Sequence, residues 1–212
     1  MNVNAQVVLR RATDLEKAAR DLYGDNWESA AANLASQLTL DQNNYLTFVN
    51  VIDVPGKTKE QLYVLLNLWF TATFNDANSV IKLNDKELGC IIAQGYVKNI
   101  TQNIGGTYSY DVSIKPIIKC DIKDNKVRVT YTIQNYLIVR TGGLMTGGFG
   151  SNSPHEKINW SLNTCYPFVK KDSHKKTSSK ALIMSATYSN IILENIEACV
   201  KDGLTGTEDD EW

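Results

Sequence analysis

The chain has 212 residues, 43% hydrophobic and 21% charged, with a formal net charge of −1. That is enough for one good core, or for one domain with an appendage. The near-zero charge argues against a general nucleic-acid binder, which needs a surplus of Lys and Arg on one face, and no apolar run approaches the ~20 residues of a membrane span.

The opening, MNVNAQVVLRRATDLE, has no apolar core of the kind a signal peptide needs. That leaves a cytoplasmic protein, if Met1 is the true start, or a processed form. Residues 1–42 read as a helical extension. TDLEKAARDLYG offers Thr13 and Glu16 as a capping-box pair and Gly24 as a left-handed stop. DNWESAAANLASQL gives a second, alanine-rich helix, with Trp27, Ala31, Leu34 and Leu38 at helical spacing.

Residues 43–203 read as the main domain. NYLTFVNVIDVPG is a strand that ends on the turn signal Pro55-Gly56. KTKEQLYVLLNLWFTATF follows, with Thr58 and Gln61 as a second capping-box pair. Leu62, Leu65, Leu66, Trp69 and Thr73 form one helical stripe there. Strands come next. In KELGCIIAQGYVKNI, Leu88, Cys90, Ile92 and Tyr96 share one parity class. GTYSYDVSIKPIIKCDI sets Tyr108, Tyr110, Val112 and Ile114 against Ser109, Asp111, Ser113 and Lys115. Such alternation marks an antiparallel sheet with one polar face. Pro116 supplies no donor, which predicts an edge position or a bulge. After the hairpin loop KDNK, the run VRVTYTIQNYLIV puts Val127, Val129, Tyr131 and Ile133 inward. A last helix carries the stripe Leu182, Ala186, Leu193, Ile196 and Val200 and stops at Gly203. Residues 204–212 are an acidic tail.

One sheet and two long helices bury their apolar sides only by laying both helices across one sheet face. The expected fold class is therefore α+β and two-layer: a single antiparallel sheet of about five strands with two long helices on one face, behind an N-terminal helical extension.

Several segments together resemble a known family: NNYLTFVNVIDVPGKTKEQLYVLLNLWF, LGCIIAQGYV, the paired strands around IKCDIKDNKVRVTYTI, CYPF, and a terminal helix with an acidic tail ending in Trp. They are similar to a bacterial family of unknown function whose fold is like that of the TATA-box-binding protein (TBP). The likeness covers residues 43–139 well and 166–212 more loosely. It implies a TBP-like fold and an envelope or periplasmic setting, and it carries no catalytic motif. A fold name is no argument for DNA binding.

The candidate chemistry is thin. The Gly-rich stretch TGGLMTGGFGSN at 141–152 lacks the Lys-Ser or Lys-Thr of a phosphate loop and matches no dinucleotide fingerprint. It reads as a loop of tight turns, with a ligand-covering loop as the alternative. Cys90, Cys120, Cys165 and Cys199 have no CxxC spacing, so no structural zinc site is expected. Two disulfides are arithmetically open, and the spacing favours free thiols. Cys165 lies near His155 and His174 in sequence only. Asp121 and Asp124 flank a hairpin tip, where Asp is common for turn reasons. The run Glu208 to Glu211 reads as a solubilising tail, and Lys170, Lys171, Lys175 and Lys176 as a solvated loop. Tyr96, Tyr108, Tyr110 and Tyr131 fall on strands and read as packing between sheet and helices.

No catalytic, cofactor-binding or metal residue is assigned, and no cofactor is expected. The expected function is a non-enzymatic binding or interaction module of the cell envelope, with a protein or a small apolar or polar ligand as partner. The alternative is a structural subunit that docks through its N-terminal helices. A thiol hydrolase using Cys165 is the outlier.

Overall fold

The computed structural model describes residues 12–74, 77–105, 108–142, 155–166 and 175–203. The chain opens with α1 (Ala12–Tyr23) and α2 (Trp27–Gln37), followed by β1 (Leu46–Asp53), α3 (Lys59–Thr73) and a single turn, α4 (Ala77–Val80). Strands β2 (Ile81–Asp85), β3 (Cys90–Gln94), β4 (Val97–Gly105), β5 (Tyr108–Ile114), β6 (Ile117–Lys123), β7 (Lys126–Ile133), β8 (Asn135–Gly142) and β9 (His155–Ser161) follow. The short α5 (Leu162–Cys165) and the long α6 (Lys175–Asp202) complete the order.

The helix ends form where local chemistry places them. Thr58 and Gln61 make the reciprocal capping box that opens α3. Asn26 accepts from the Ser29 N–H at the start of α2. Gly24 and Gly203 adopt φ of +77° and +84°, and their N–H groups close the last turns of α1 and α6 on Arg20 and Cys199.

The antiparallel α+β plan stands, but the sheet is not single. Among the described residues the strands form a five-stranded sheet, β1-β7-β6-β3-β2, and a four-stranded sheet, β4-β5-β8-β9. Three stretches of chain pass from one sheet to the other: β3 into β4, β5 into β6 and β7 into β8. Their ladders break along one line, at Gly95 and Tyr96, at Lys115 and Pro116, and at Gln134. Pro116 has no N–H to give a neighbour, so a continuous ladder fails at this position. The Gly95 N–H bonds the Pro116 carbonyl at 3.0 Å across the break. Pro116 is therefore neither at an edge nor in a bulge. It sits in the middle stretch of the three, at the crease between sheets.

In the five-stranded sheet, one face is mainly apolar, with Ile52, Val127, Ile122 and Ile91 toward the hairpin end and Leu46, Ile133, Ile118 and Ala93 toward the crease; Asn50 and Asn84 on the same face bond Glu197 of α6 and Asn67 of α3. Helix α3 covers it with Leu62, Leu66, Trp69, Phe70 and Thr73. On β3 the inward residues are Ile91 and Ala93, so the parity class of Cys90 and Ile92 faces outward. Tyr131 and Tyr136 flank the crease and are fully buried.

At 28 residues, α6 is about 42 Å long at 1.5 Å per residue. It packs on α1, α2 and β4 and also reaches α3 and β1. The expected stripe of Leu182, Ala186, Leu193, Ile196 and Val200 is buried. So is nearly everything from Thr177 to Ser189, because α1 and α2 cover the side that a surface helix would show to water. Small residues fit there. Ala19 and Ala31 have no exposed surface. The hydroxyls of Thr187 and Ser189 bond back to the Ile183 and Ala186 carbonyls, at 2.9 and 2.8 Å.

Candidate interaction surface

Helices cover one face of the five-stranded sheet; among the described residues nothing covers the other. The pairing register writes that open face as four rows. Asp53, Lys126 and Lys123 form the first, at the β6–β7 hairpin. Val51, Arg128, Asp121, Cys90 and Asp85 form the second. Val49, Thr130, Lys119, Ile92 and Leu83 form the third, and Thr47, Thr132, Ile117 and Gln94 the fourth, beside the crease. Val49, Val51 and Leu83 are 57%, 51% and 42% exposed. Val49 and Val51 are neighbours on the edge strand β1 and Leu83 lies on the opposite edge strand, β2, so the valine pair is the local apolar patch.

The charged groups are ordered by one another. Asp121 takes Lys119 at 2.8 Å and Arg128 at 2.7 Å, and Lys126 reaches Asp53 at 3.1 Å. Partial burial alone would raise the Asp121 carboxyl. Its bonds to Lys119 and Arg128 outweigh that and hold it below the usual carboxylate range. Val51, Asp121, Lys123, Lys126 and Arg128 line a hollow of about 220 Å³.

The hairpin bearing these cations is fixed to the rest of the domain. Asn125 has φ of +62°. Its Oδ1 accepts from the Gly56 N–H at 2.7 Å, its carbonyl from the Val54 N–H at 2.8 Å, and its own N–H donates to the Lys57 carbonyl at 2.9 Å. Asp124 accepts from the Lys59 N–H at 2.8 Å, at the first turn of α3. The VPG turn thus has a physical role: it is the seat of the hairpin tip. Asp124 caps a helix, and Asp121 organises the open face.

The other sequence candidates are dispersed. Thr141 and Gly142 end β8, opposite Ser109 and Tyr108 of β5, and the remainder of the Gly-rich stretch lies outside the described residues. His155 opens β9, opposite Thr141. Cys165 is buried on α5, past the far end of that strand, about 20 Å along it at ~3.3 Å per residue. His174, Lys170, Lys171 and the acidic tail lie outside the described residues. Lys175 and Lys176 open α6, where Lys175 pairs with Glu28 at 2.5 Å. None of the four cysteines is in a disulfide. Among the described residues no three His, Cys, Asp or Glu converge on a metal-sized site. Tyr131 joins the core, Tyr108 and Tyr110 are half-buried, and Tyr96 is exposed.

The N-terminal helices turn their alanine faces onto α6. A hollow of about 640 Å³ beside them is bounded by Asp25, Trp27, Glu28, Asn103, Lys176 and Lys180. Asp25 is tied to Arg20 and Glu28 to Lys175. Lys180 bonds Glu16 at 2.9 Å, which is the main reason the Glu16 carboxyl lies below its ordinary value, and Arg20 stacks over Trp27 at 5.3 Å.

Residues 48–136 match the family described as a domain of unknown function, DUF4468, with TBP-like fold. Over this stretch the chain is similar to the DUF4468 family. The stretch holds the hairpin, α3, the crease and all but the first two residues of the strands that make the open face; α1, α2 and α6 lie outside the DUF4468 match. Two solved structures are similar. A TBP-like protein from Parabacteroides distasonis ATCC 8503 is 13% identical, with a TM-score of 0.48 over 79% of this chain and 97% of that one. A DUF4468 family protein from Bacteroides ovatus ATCC 8483 is 13% identical, with a TM-score of 0.42 over 77% and 90%. No curated protein matches the chain.

The sequence reading expected a sheet with one polar face but did not assemble the residues of this one into a surface. The signal was present in the outward residues of β6 and β7, Lys119, Asp121, Lys123, Lys126 and Arg128. Only the register joins them into one surface with Val49 and Val51.

Proposed function

We propose that the protein is a non-enzymatic interaction module of the bacterial envelope, and that it binds through the open face of its five-stranded sheet. One observation carries the reading: the open face sets the exposed Val49 and Val51 beside the charged group of Lys119, Asp121 and Arg128. A sheet needs one buried face for stability, and adjacent exposed valines on its second, mostly polar face are explained by contact with something else. The envelope setting rests on the family resemblance. A thiol hydrolase gains no support, since His155 and Cys165 lie at opposite ends of β9. Docking through the N-terminal helices has little apolar surface to use. The alanine faces are spent on α6, and the large apolar side chain that α1 and α2 leave exposed is Leu22.

The test is a photocrosslinking residue at position 49 or 130 in the producing bacterium, with position 64 on α3 as the control. The expected result is a discrete adduct from the open face, absent from the control, in the envelope fraction. Adducts formed equally from position 64, or none from either face, refute the surface. Fractionation with a cytosolic marker refutes the compartment.

A further inference from the structure

The next step rests on that reading and names the occupant. We propose that the open face binds an extended acidic segment of a partner protein, one that carries an apolar residue beside its carboxylates, laid over the β1–β7–β6 side.

The hollow of about 220 Å³ supplies the charge argument. Lys123, Lys126 and Arg128 line it with Asp121, and Lys126 also pairs with Asp53, so three cations face two carboxylates. Asp121 is already held by Lys119 and Arg128, and Asp53 by Lys126, so an incoming group meets a modest excess of positive charge centred on Lys123. The chain as a whole is at −1, so this local excess has the opposite sign to the molecule. Complementarity of this kind selects an anionic partner and speeds its arrival. Val51 forms one wall of the hollow, and Val49 continues the apolar strip along β1. A carboxylate seated among the cations leaves a neighbouring aliphatic side chain against that strip.

Size then chooses among acidic partners. Strands ~4.8 Å apart and ~3.3 Å per residue give the five-stranded face an area of about 500 Å². A stable interface between folded proteins takes about 800 Å² from each side. The face falls short of that and suits an extended segment of about six to eight residues. Nucleic acid fits less well. The chain is at −1 overall, and Lys119, Lys126 and Arg128 are each paired with a carboxylate, which is not the broad basic surface that a run of phosphates needs.

The experiment titrates the full chain with a fluorescein-labelled peptide, Val-Glu-Asp-Asp-Glu-Val, by fluorescence anisotropy at low and high salt. Its neutral counterpart, Val-Gln-Asn-Asn-Gln-Val, and a short DNA oligonucleotide run alongside. The acidic peptide is expected to bind, to weaken with salt, and to lose about tenfold or more in affinity in the Lys123→Glu, Lys126→Glu double variant. Lys17→Glu with Lys98→Glu makes the same change of charge on α1 and β4, and is expected to alter affinity less than about twofold. Val49→Thr is expected to cost about threefold.

Equal binding of the neutral peptide, or equal loss from the two charge reversals, overturns the proposal. Tighter binding of the oligonucleotide with the same dependence on Lys123 and Lys126 assigns the face to nucleic acid. A concentration-dependent dimer abolished by the Lys123→Glu, Lys126→Glu variant assigns it to a second copy. Failure of the acidic peptide, with an intact crosslink from position 49, removes this inference and leaves the interaction-module reading standing. Loss of both removes both.

Discussion

Asn125 allows the clasp between the VPG turn and the hairpin to be measured term by term. It combines a left-handed backbone, φ of +62°, with a side-chain bond to the Gly56 N–H at 2.7 Å. In Asn125→Ala the alanine Cβ is placed in a region that Asn tolerates better, at a cost of about 1 kcal/mol. The lost hydrogen bond adds about 1 kcal/mol. The sum is about 2 kcal/mol, or a fall in Tm of about 4–8 °C for a domain of this size. Asn125→Gly relieves the backbone and loses only the bond, partly offset by chain entropy, so about 1 kcal/mol is expected. Asn125→Asp keeps both the acceptor and the tolerance for this φ, and is expected to stay within about 0.5 kcal/mol of the parent. Urea unfolding followed by tryptophan fluorescence and circular dichroism gives all three values. If Gly costs as much as Ala, the backbone argument is wrong. If Asp costs as much as Ala, the side-chain bond does not carry the clasp.

Leu66→Ala, in the α3 face that covers the sheet, empties a site with no exposed surface and should cost about 2–5 kcal/mol in the same unfolding assay. Thiol labelling at mildly alkaline pH should modify Cys90 on the open face first, since it is only partly buried. Cys120, whose thiol burial pushes far up, and Cys199, pushed up to about 11, should label only on unfolding. Glu16 and Asp121 both have depressed folded values. The stability they contribute is present above the unfolded carboxylate range and is lost as pH falls through their lower folded values, below about pH 4. Asp121→Asn should flatten that part of the stability–pH curve, and an unchanged slope would show that the Lys119–Asp121–Arg128 group contributes nothing there.

Local chemistry was readable in the chain itself. The capping box at Thr58 and Gln61, the stop at Gly203 and the inward set Val127, Val129, Tyr131 and Ile133 each depend on residues within a few positions of one another. Such interactions act through the backbone's own periodicity, so a single sequence determines them. The order of elements, and with it the α+β plan, follows from the same information.

Tertiary structure decided what depends on residues far apart in sequence. Pro116 announced that a ladder would fail, but only the alignment of its break with Gly95 and Gln134 made it a crease between two sheets. The apolar stripe of α6 was visible, yet its hydroxyl-bearing sides are buried because α1 and α2, some 150 residues earlier, lie over them. Lys119, Asp121, Lys126 and Arg128 are unremarkable hairpin charges until the pairings Asp121↔Arg128 and Val51↔Arg128 set them beside the exposed valines of β1. A strand's alternation tells which residues share its face. It does not tell which strand lies next to it, because that choice is made by closing loops and burying surface across the whole chain.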